Sequence, residues 1–366
     1  MTNDELLSKT ISYLRFPLTI GVVFIHNRMA TINIQGHEIN YGDLWPWVSY
    51  VITFFSYVVS AVSVPMFFFI SGFLFFYKVD FCKDVYRKKL KSRCDTLLVP
   101  YLIWNFLAFL ILLTQMHPRF SSLFPLLRDY RIDITEFLSY FWAKYLPMDP
   151  VGDVEVPLNP SLWFVRDLML LVIASPLVYW VINKLKSLAI LLLCIVWFFT
   201  LGKQIGLYGM SHQSVFFFPL GAYFSINRID FVEFARKAKW SPYIYAICAI
   251  ADTFSDGQPY NYWFHNSGIL IGLIALTFMV SNLLSQDKVK INKFLSNSSF
   301  FVFAAHELFI GKLMKALVMI IQPQSPYVVL LLYFFIPIAT IFICLGAYWL
   351  LNRWVPNMAK VLTGGR

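Results

Sequence analysis

The sequence has little charge and few cysteines for its length. Only 14% of its 366 residues are charged, against about 25% in soluble domains, which excludes an ordinary soluble domain and a disordered chain. Five cysteines, an odd number, give no disulfide framework for a small secreted scaffold. No Walker-type phosphate loop or dinucleotide-binding glycine pattern occurs. The histidines are scattered, with no two at helical ligand spacing, so we predict no metal site.

Long apolar runs are what the sequence does have. Hydrophobic residues make up 58% of the chain, and ten membrane-spanning helices of about 20 residues would use about 200 of them. The runs are continuously apolar and do not alternate as barrel strands do. The sequence therefore predicts an all-α fold, a polytopic integral membrane bundle of about ten transmembrane helices, as a single domain over residues 1–366.

The predicted helices leave two conspicuous connections, a basic loop at 78–96 and a proline-rich loop at 117–160. The first apolar run lacks a small-residue cleavage site, so we expect an uncleaved first helix. We place the ten helices near residues 10–29, 49–77, 97–116, 162–182, 187–201, 212–226, 241–254, 267–285, 297–321 and 327–351.

We interpret the net charge of +10 as a consequence of the orientation of the protein in the membrane. If the amino terminus is cytoplasmic, most lysines and arginines fall in connections that face inward, which is the positive-inside bias of membrane proteins. We therefore expect both termini and the loop 78–96 in the cytoplasm, the loop 117–160 outside, the lipid bilayer as a partner, and no nucleic acid.

The first helix carries two ionisable residues on nearly one face. His26 follows Arg15 by eleven positions, which turns it to within roughly 20° of the same face and about 16 Å further along the axis. Arg15 is a permanent cation that can hold an anion, and His26 can exchange a proton near neutral pH. The structural alternatives are an arginine that anchors to lipid phosphates and a histidine satisfied at the interface.

Three further groups could carry chemistry. Cations before the third helix could grip the phosphates of a donor or serve only as a topogenic loop. Arg166 and Asp167 are neighbours on one helix, so we expect each to have a separate partner, in a salt bridge or a site. His306 and Glu307 would lie near mid-membrane, where they either serve a site or join helices. The candidate donor-binding cations are Arg15, Arg87, Lys89, Lys91 and Arg93.

Five segments together resemble the acyltransferase 3 family of polytopic membrane acyltransferases. The arginine, ten residues and histidine of the first segment are the most specific feature, and the segments occur in family order. They are RFPLTIGVVFIH at 15–26, VPMFFFISGFLFF at 64–76, LLVPYLIWN at 97–105, LWFVRDL at 162–168 and SFFVFAAH at 299–306.

The resemblance implies acyl transfer from cytoplasmic acyl-CoA, most simply acetyl-CoA as a co-substrate with no tightly bound cofactor. The implied acceptor is a hydroxyl of a cell-surface polysaccharide or glycolipid, and the implied location is the bacterial cytoplasmic (inner) membrane. Arg15 and His26 match residues that the family requires. Members often carry two arginines three apart before the third helix, whereas Arg93 has Leu90 and Thr96 at those positions.

On this resemblance, His26 is expected to act as a general base on the acceptor hydroxyl. Asp167 or Glu307 would orient its imidazole, and Arg166 or His306 would bind substrate or stabilise the oxyanion. The chief alternative is a transporter or lipid-linked sugar translocase, which predicts discontinuous helices and matching halves. A non-catalytic membrane subunit that anchors a polysaccharide-assembly complex is a further alternative.

Overall fold

A computed structural model describes residues 2–27, 29–34, 37–117, 132, 137–142, 156–199 and 210–365 of the protein. Within these residues the fold is helical, apart from a short antiparallel hairpin of β1 (Thr31–Ile34) and β2 (His37–Asn40). Most of the predicted loop 117–160 lies outside the described residues. Its described parts include a short helix, Phe137–Trp142.

The α-helices of the described residues are α1 Asn3–Ile25, α2 Tyr41–Leu44, α3 Pro46–Ile52, α4 Ser63–Phe76, α5 Lys83–Arg93, α6 Val99–Gln115, α7 Phe137–Trp142, α8 Trp163–Ile173, α9 Ser175–Leu185, α10 Ser187–Phe199, α11 His212–Ile226, α12 Phe231–Lys237, α13 Ser241–Phe254, α14 Asn261–Ser285, α15 Lys293–Ile321, α16 Pro326–Trp354 and α17 Pro356–Leu362. Some helices, such as α1 and α15, begin before the apolar runs because polar residues continue the helical turns, whereas the predicted helix 162–182 is divided into α8 and α9.

Fewer helices than predicted meet the requirements for a membrane crossing. Among the described residues, four are long and apolar enough, Pro46–Phe76, Lys83–Gln115, Asn261–Ser285 and Pro326–Trp354. A fifth is obtained if the pair α8 and α9, bent by 64°, counts as one span. The prediction of an integral membrane helix bundle agrees with these helices, but the number of about ten crossings is not confirmed.

Two of the spans contain π-helical segments. Thr53–Val59 joins α3 to α4 through a single 3₁₀ turn, and Cys94–Leu98 joins α5 to α6. The predicted basic loop 78–96 is therefore wrong as a loop, because α5 is a helix that continues into α6. Lysine and arginine are good helix formers, so the charge that suggested a loop does not interrupt the helix.

The closest helix crossing lies between α4 and α11. A Cβ atom on Gly72 would lie 2.0 Å from the carbonyl oxygen of Phe218, and one on Gly221 would lie 1.9 Å from that of Phe69. No side chain fits at such distances, so the two glycines allow the backbones to touch, as small residues do in membrane helix packing.

Candidate active site

Helices α1 and α15 pack side by side and run in the same direction. The hydroxyl of Ser296 donates to the carbonyl of Ser12 at 3.0 Å, and that of Thr19 reaches the carbonyl of Ser299 at 3.5 Å. Residue numbers increase together along both helices, so the two chains are parallel. Small hydroxyl side chains bridge the contact and fix the register of α1 against α15.

This register brings His26, at the end of α1, against the middle of α15. The imidazole Nδ1 of His26 contacts the carboxylate Oε1 of Glu307. The rings of His26 and His306 lie edge to face with centroids 5.1 Å apart. The side chains of His26 and Glu307 are only 13% and 17% exposed, and His306 is fully buried. His26 and the group of His306 and Glu307, which the sequence singled out separately, therefore form one cluster, which we call the outer cluster.

The hydrogen bond of His306 fixes its tautomer. Its Nδ1 lies 3.2 Å from the carbonyl oxygen of Val302, an atom that can only accept, so Nδ1 carries the hydrogen. In the neutral ring Nε2 then presents a lone pair, and this buried atom has no hydrogen-bond partner among the described residues. Neutral His306 can accept a hydrogen from a hydroxyl, but it cannot donate to an oxyanion through Nε2.

Polar groups on neighbouring helices hold the end of α1 in place. Asn27 donates through Nδ2 to the carbonyl of Tyr333 on α16 at 2.7 Å. The hydroxyl of Ser56 donates to the carbonyl of Phe24 at 2.7 Å and lies 2.7 Å from the Tyr333 hydroxyl. Ser56 belongs to the π-helical segment Thr53–Val59, and such segments are frequent at functional sites. The carbonyl of Phe24 also accepts from the backbone N–H of Asn27 at 3.1 Å, so Ser56 adds a side-chain bond to a carbonyl that already closes the end of α1.

Sequence reasoning missed these supporting residues. Asn27 adjoins a predicted site histidine, and Ser56 is a hydroxyl inside an apolar run. Polar residues within a membrane run are the signal that could have indicated them.

Arg166 and Asp167 bind each other, which the sequence did not predict, and each also has the separate partner that was expected. The Nε and Nη2 atoms of Arg166 lie 3.3 and 3.2 Å from Oδ1 of Asp167. Arg166 also donates to the carbonyl of Trp142 at 2.9 Å, and Oδ2 of Asp167 accepts from the backbone N–H of Ser211 at 2.8 Å. Both side chains are buried, so the charged groups find their partners within the protein. The pair connects α7, α8 and the start of α11.

The candidate donor-binding cations differ in exposure. Arg87 and Lys91 are exposed on α5, whereas Lys89 and Arg93 lie one turn apart and are half-buried. The ammonium of Lys89 donates to the carbonyl of Phe75. Within the described part of the chain, Arg93 makes no hydrogen bond or ion pair. Lys89 and Arg93 are four residues apart, whereas the family resemblance implies two arginines three apart.

Arg15 is also half-buried on α1, about 16 Å along the axis from His26. Its guanidinium has no hydrogen-bond or ion-pair partner among the residues that the structure describes. A partly buried cation without a counter-charge is costly, so this position favours an anion from outside the chain.

The outer cluster also has the donor types of a metal site. Ligand atoms of His26, His306 and Glu307 all lie within 4.8 Å of one another, and zinc sites use histidine and carboxylate ligands. Spacing along the sequence did not anticipate this grouping, because the histidines come from different helices. The absence of a metal stays a prediction.

Comparison with known proteins identifies a related family. The acyltransferase 3 family model, described as an acyltransferase domain, matches residues 9–349. The chain is also 28% identical, over 379 aligned positions, to the succinoglycan biosynthesis protein ExoH of Rhizobium meliloti (strain 1021), covering 99% of this chain and 94% of that protein. No solved structure matches the chain significantly.

Proposed function

Since the chain belongs to the acyltransferase 3 family and is an acyltransferase, we propose that it moves an acyl group from cytoplasmic acyl-CoA to a hydroxyl of a cell-surface polysaccharide or glycolipid. The outer cluster is the observation that carries this proposal. Its His26–Glu307 pair provides a base with an orienting carboxylate, beside a second histidine with an available lone pair. Family membership also argues against the transporter and the non-catalytic subunit.

The acceptor class rests on the relative ExoH, whose name places it in the biosynthesis of a polysaccharide. We propose acetyl as the acyl group and acetyl-CoA as the co-substrate, as the family resemblance implies. We further propose that the protein lies in the bacterial inner membrane with both termini in the cytoplasm, in keeping with the positive-inside bias of the sequence.

The phosphates of the donor would bind at Arg15, near the middle of α1, and at Arg93, at the end of α5. Arg15 and Arg93 are half-buried and lack a counter-charge among the described residues, so the phosphates of coenzyme A would supply one. Lys89 is engaged with Phe75 and would add positive field. Arg87 and Lys91 are exposed on the same helix and would act as weaker, screened charges.

The outer cluster would carry the chemical step. Because Nδ1 of His26 faces Glu307, its Nε2 would take the proton of the acceptor hydroxyl as that oxygen attacks the thioester carbonyl. The carbon–sulfur bond then breaks, and the thiolate of coenzyme A receives the proton from the imidazolium. Glu307 would hold the ring and stabilise its charged form, and Nε2 of His306 would accept a hydrogen from the acceptor.

Arg166 and Asp167 would act as positioning residues. Their mutual contacts and their bonds to Trp142 and Ser211 occupy both side chains. We therefore propose that they shape the acceptor side of the site and do not touch the reacting atoms.

The test is transfer of label from radioactive acetyl-CoA to acceptor by the full-length protein in membranes, with wild type and His26→Ala compared. We expect His26→Ala to lower kcat by roughly 10²- to 10⁴-fold, the usual contribution of a general base. Melting temperature and gel-filtration profile would establish that the variant is folded. A folded His26→Ala protein with wild-type turnover would eliminate the base.

A second measurement tests the donor site. Arg93→Ala should raise the KM for acetyl-CoA by roughly 10- to 100-fold, because a charge-assisted hydrogen bond is worth about 1.5 to 3 kcal/mol. The acceptor KM should stay close to wild type. Arg236→Ala, at another exposed helix of the chain, is the matched control. Equal donor KM values in the two variants would reject the phosphate-binding role of Arg93.

A further inference from the structure

A cavity of about 450 Å³ lies apart from the outer cluster, between α10, α11 and the turn that joins α13 to α14. Its volume is within the range of small-molecule sites, about 300 to 1,000 Å³. The cavity and the outer cluster lie at the same end of the bundle. Oδ2 of Asp256, in the turn, accepts a hydrogen bond from Thr53 at 3.1 Å, and the π-helical segment of Thr53 also holds the end of α1 through Ser56.

The lining is polar and aromatic. The side chains of Trp197 and Tyr262 contribute aromatic surface. Among the described residues no lysine, arginine, aspartate or glutamate lines the cavity. The polar side chains are His212, Gln213, Gln258, Asn261, His265 and Asn266.

Several of these polar groups are fixed by bonds behind the cavity wall. Nδ1 of His265 lies 2.9 Å from Oδ2 of Asp252, and Asn261 donates to Oδ1 of the same carboxylate at 2.8 Å. Asn266 donates to the carbonyl of Phe198 at 2.8 Å. Within the described part of the chain, Nε2 of His265 and the amide oxygens of Asn261 and Asn266 make no hydrogen bond. These groups are already oriented and can each form a hydrogen bond to a ligand, which reduces the entropic cost of binding.

The side chains of His212 and Gln213 add groups that can both donate and accept. Neither side chain makes a hydrogen bond among the described residues, so both can turn towards a ligand. A ligand with many hydroxyl groups matches this mixture of donors and acceptors. The aromatic rings offer an apolar surface to the carbon–hydrogen faces of such a ligand.

The absence of cations along the described lining argues against an anionic ligand. A phosphate or a carboxylate would lose its hydration without gaining a charged partner. The nucleotide part of coenzyme A is therefore a poor fit, which separates this cavity from the donor site near Arg15 and Arg93.

We propose that this cavity is a saccharide-binding subsite that holds a neutral sugar unit of the acceptor while a neighbouring unit is acylated at the outer cluster. The assignment of the sugar as part of the acceptor rests on the proposed function. Binding of a neutral sugar at this cavity does not, because it depends only on the lining residues.

Direct binding is the first test. Full-length protein in nanodiscs would be titrated calorimetrically with neutral trisaccharides of glucose, galactose and mannose, and with trigalacturonic acid as the anionic comparator. We expect saturable binding of at least one neutral trisaccharide and weaker binding of the anionic one. Failure of every neutral trisaccharide to bind, or preference for the anionic one, would overturn the subsite.

Substitutions of lining residues test whether the sugar binds in this cavity. Gln213→Ala and His265→Ala should each weaken the binding of the neutral trisaccharide by about three- to tenfold, the expected loss for one neutral hydrogen bond. Gln286→Ala, an exposed glutamine at the far end of α14, is the matched control and should bind as wild type does. Gln213→Ala removes a side chain with no partner in the described structure, so misfolding should not complicate it. Equal affinity in all four proteins would overturn the location.

Kinetics separate this proposal from the function on which it partly rests. Gln213→Ala should raise the acceptor KM by the same factor while kcat and the donor KM stay within about twofold of wild type. If the protein binds a neutral sugar, the two substitutions weaken that binding, and no acyl transfer occurs, the subsite is retained and the proposed function is rejected. Acyl transfer with an unchanged acceptor KM in both variants would remove the subsite and retain the function.

Discussion

Two histidine–carboxylate pairs lie among the residues that the structure describes, and they differ in how they are built. His26 and Glu307 come from α1 and α15 and meet only because those helices pack in register. His265 and Asp252 lie 13 residues apart, on two consecutive helices. The histidine of the second pair is 33% exposed and its carboxylate 7%, so one end is wet and the other buried.

The surroundings of the two pairs assign them different roles. Asp252 accepts from both His265 and Asn261, so its oxygens already serve a local network. Beside the His26–Glu307 pair, the buried Nε2 of His306 has a lone pair that no described group uses. A histidine paired with a carboxylate is therefore not a reaction centre by itself. These differences fit the roles proposed above, proton transfer for the first pair and ligand binding for the second.

The largest expected effect comes from replacing the carboxylate of each pair by an amide. Glu307→Gln should lower kcat by roughly 10²- to 10³-fold, because the amide cannot stabilise the imidazolium that forms. Asp252→Asn should lower kcat by less than about tenfold, since its histidine only lines a binding cavity. The measurement is labelled acetyl transfer by folded variants. Comparable losses in both would end the division of roles.

The next effect compares the second histidine of each region. His306→Phe fills similar space but removes the lone pair, and kcat should fall by roughly 10- to 30-fold. His212→Phe should instead raise the acceptor KM and leave kcat within about threefold. Steady-state kinetics with varied acceptor distinguishes the two patterns. A purely packing role for His306 predicts wild-type kcat in the Phe variant.

A smaller effect concerns stability. Asn261→Ala removes the donor to Asp252 and to the hydroxyl of Ser255, which should lower the free energy of unfolding by about 1 kcal/mol or more. Asn282→Ala, whose amide oxygen accepts from the exposed Gln286, should change stability by less than about 0.5 kcal/mol. Urea titration followed by tryptophan fluorescence measures both. Equal stabilities would show that the network around Asp252 does not support the cavity wall.

The last prediction is that removal of metal ions leaves acyl transfer unchanged. Glu307 is engaged by Nδ1 of His26, so the proposed mechanism uses these groups for proton transfer and requires no metal. Prolonged treatment with a chelator should leave acetyl transfer unchanged, and elemental analysis should find less than one bound ion per chain. Loss of activity with chelator and recovery with zinc would show that the outer cluster is a metal site.

The helical fold and the candidate residues could be predicted, but their association could not. Hydropathy indicates apolar helices, and the resemblance indicated Arg15 and His26. Nothing in a single sequence states that residue 26 meets residues 306 and 307, because packing of α1 on α15 decides it. The basic segment was misread because lysine and arginine suit both exposed loops and helices. The Arg166–Asp167 contact was missed because helix-surface spacing ignores how a buried arginine folds back.

The crossing of α4 and α11 has a consequence for the route of the donor. Where a single methyl group on Gly72 or Gly221 would collide with a carbonyl oxygen, the two main chains leave no width for a flexible thiol arm to slide between them. An acyl chain therefore cannot pass between α4 and α11 at this crossing. On the proposed function, the thiol arm of the donor would have to reach His26 by a path other than this crossing, and engineered blockages elsewhere in the bundle would locate that path.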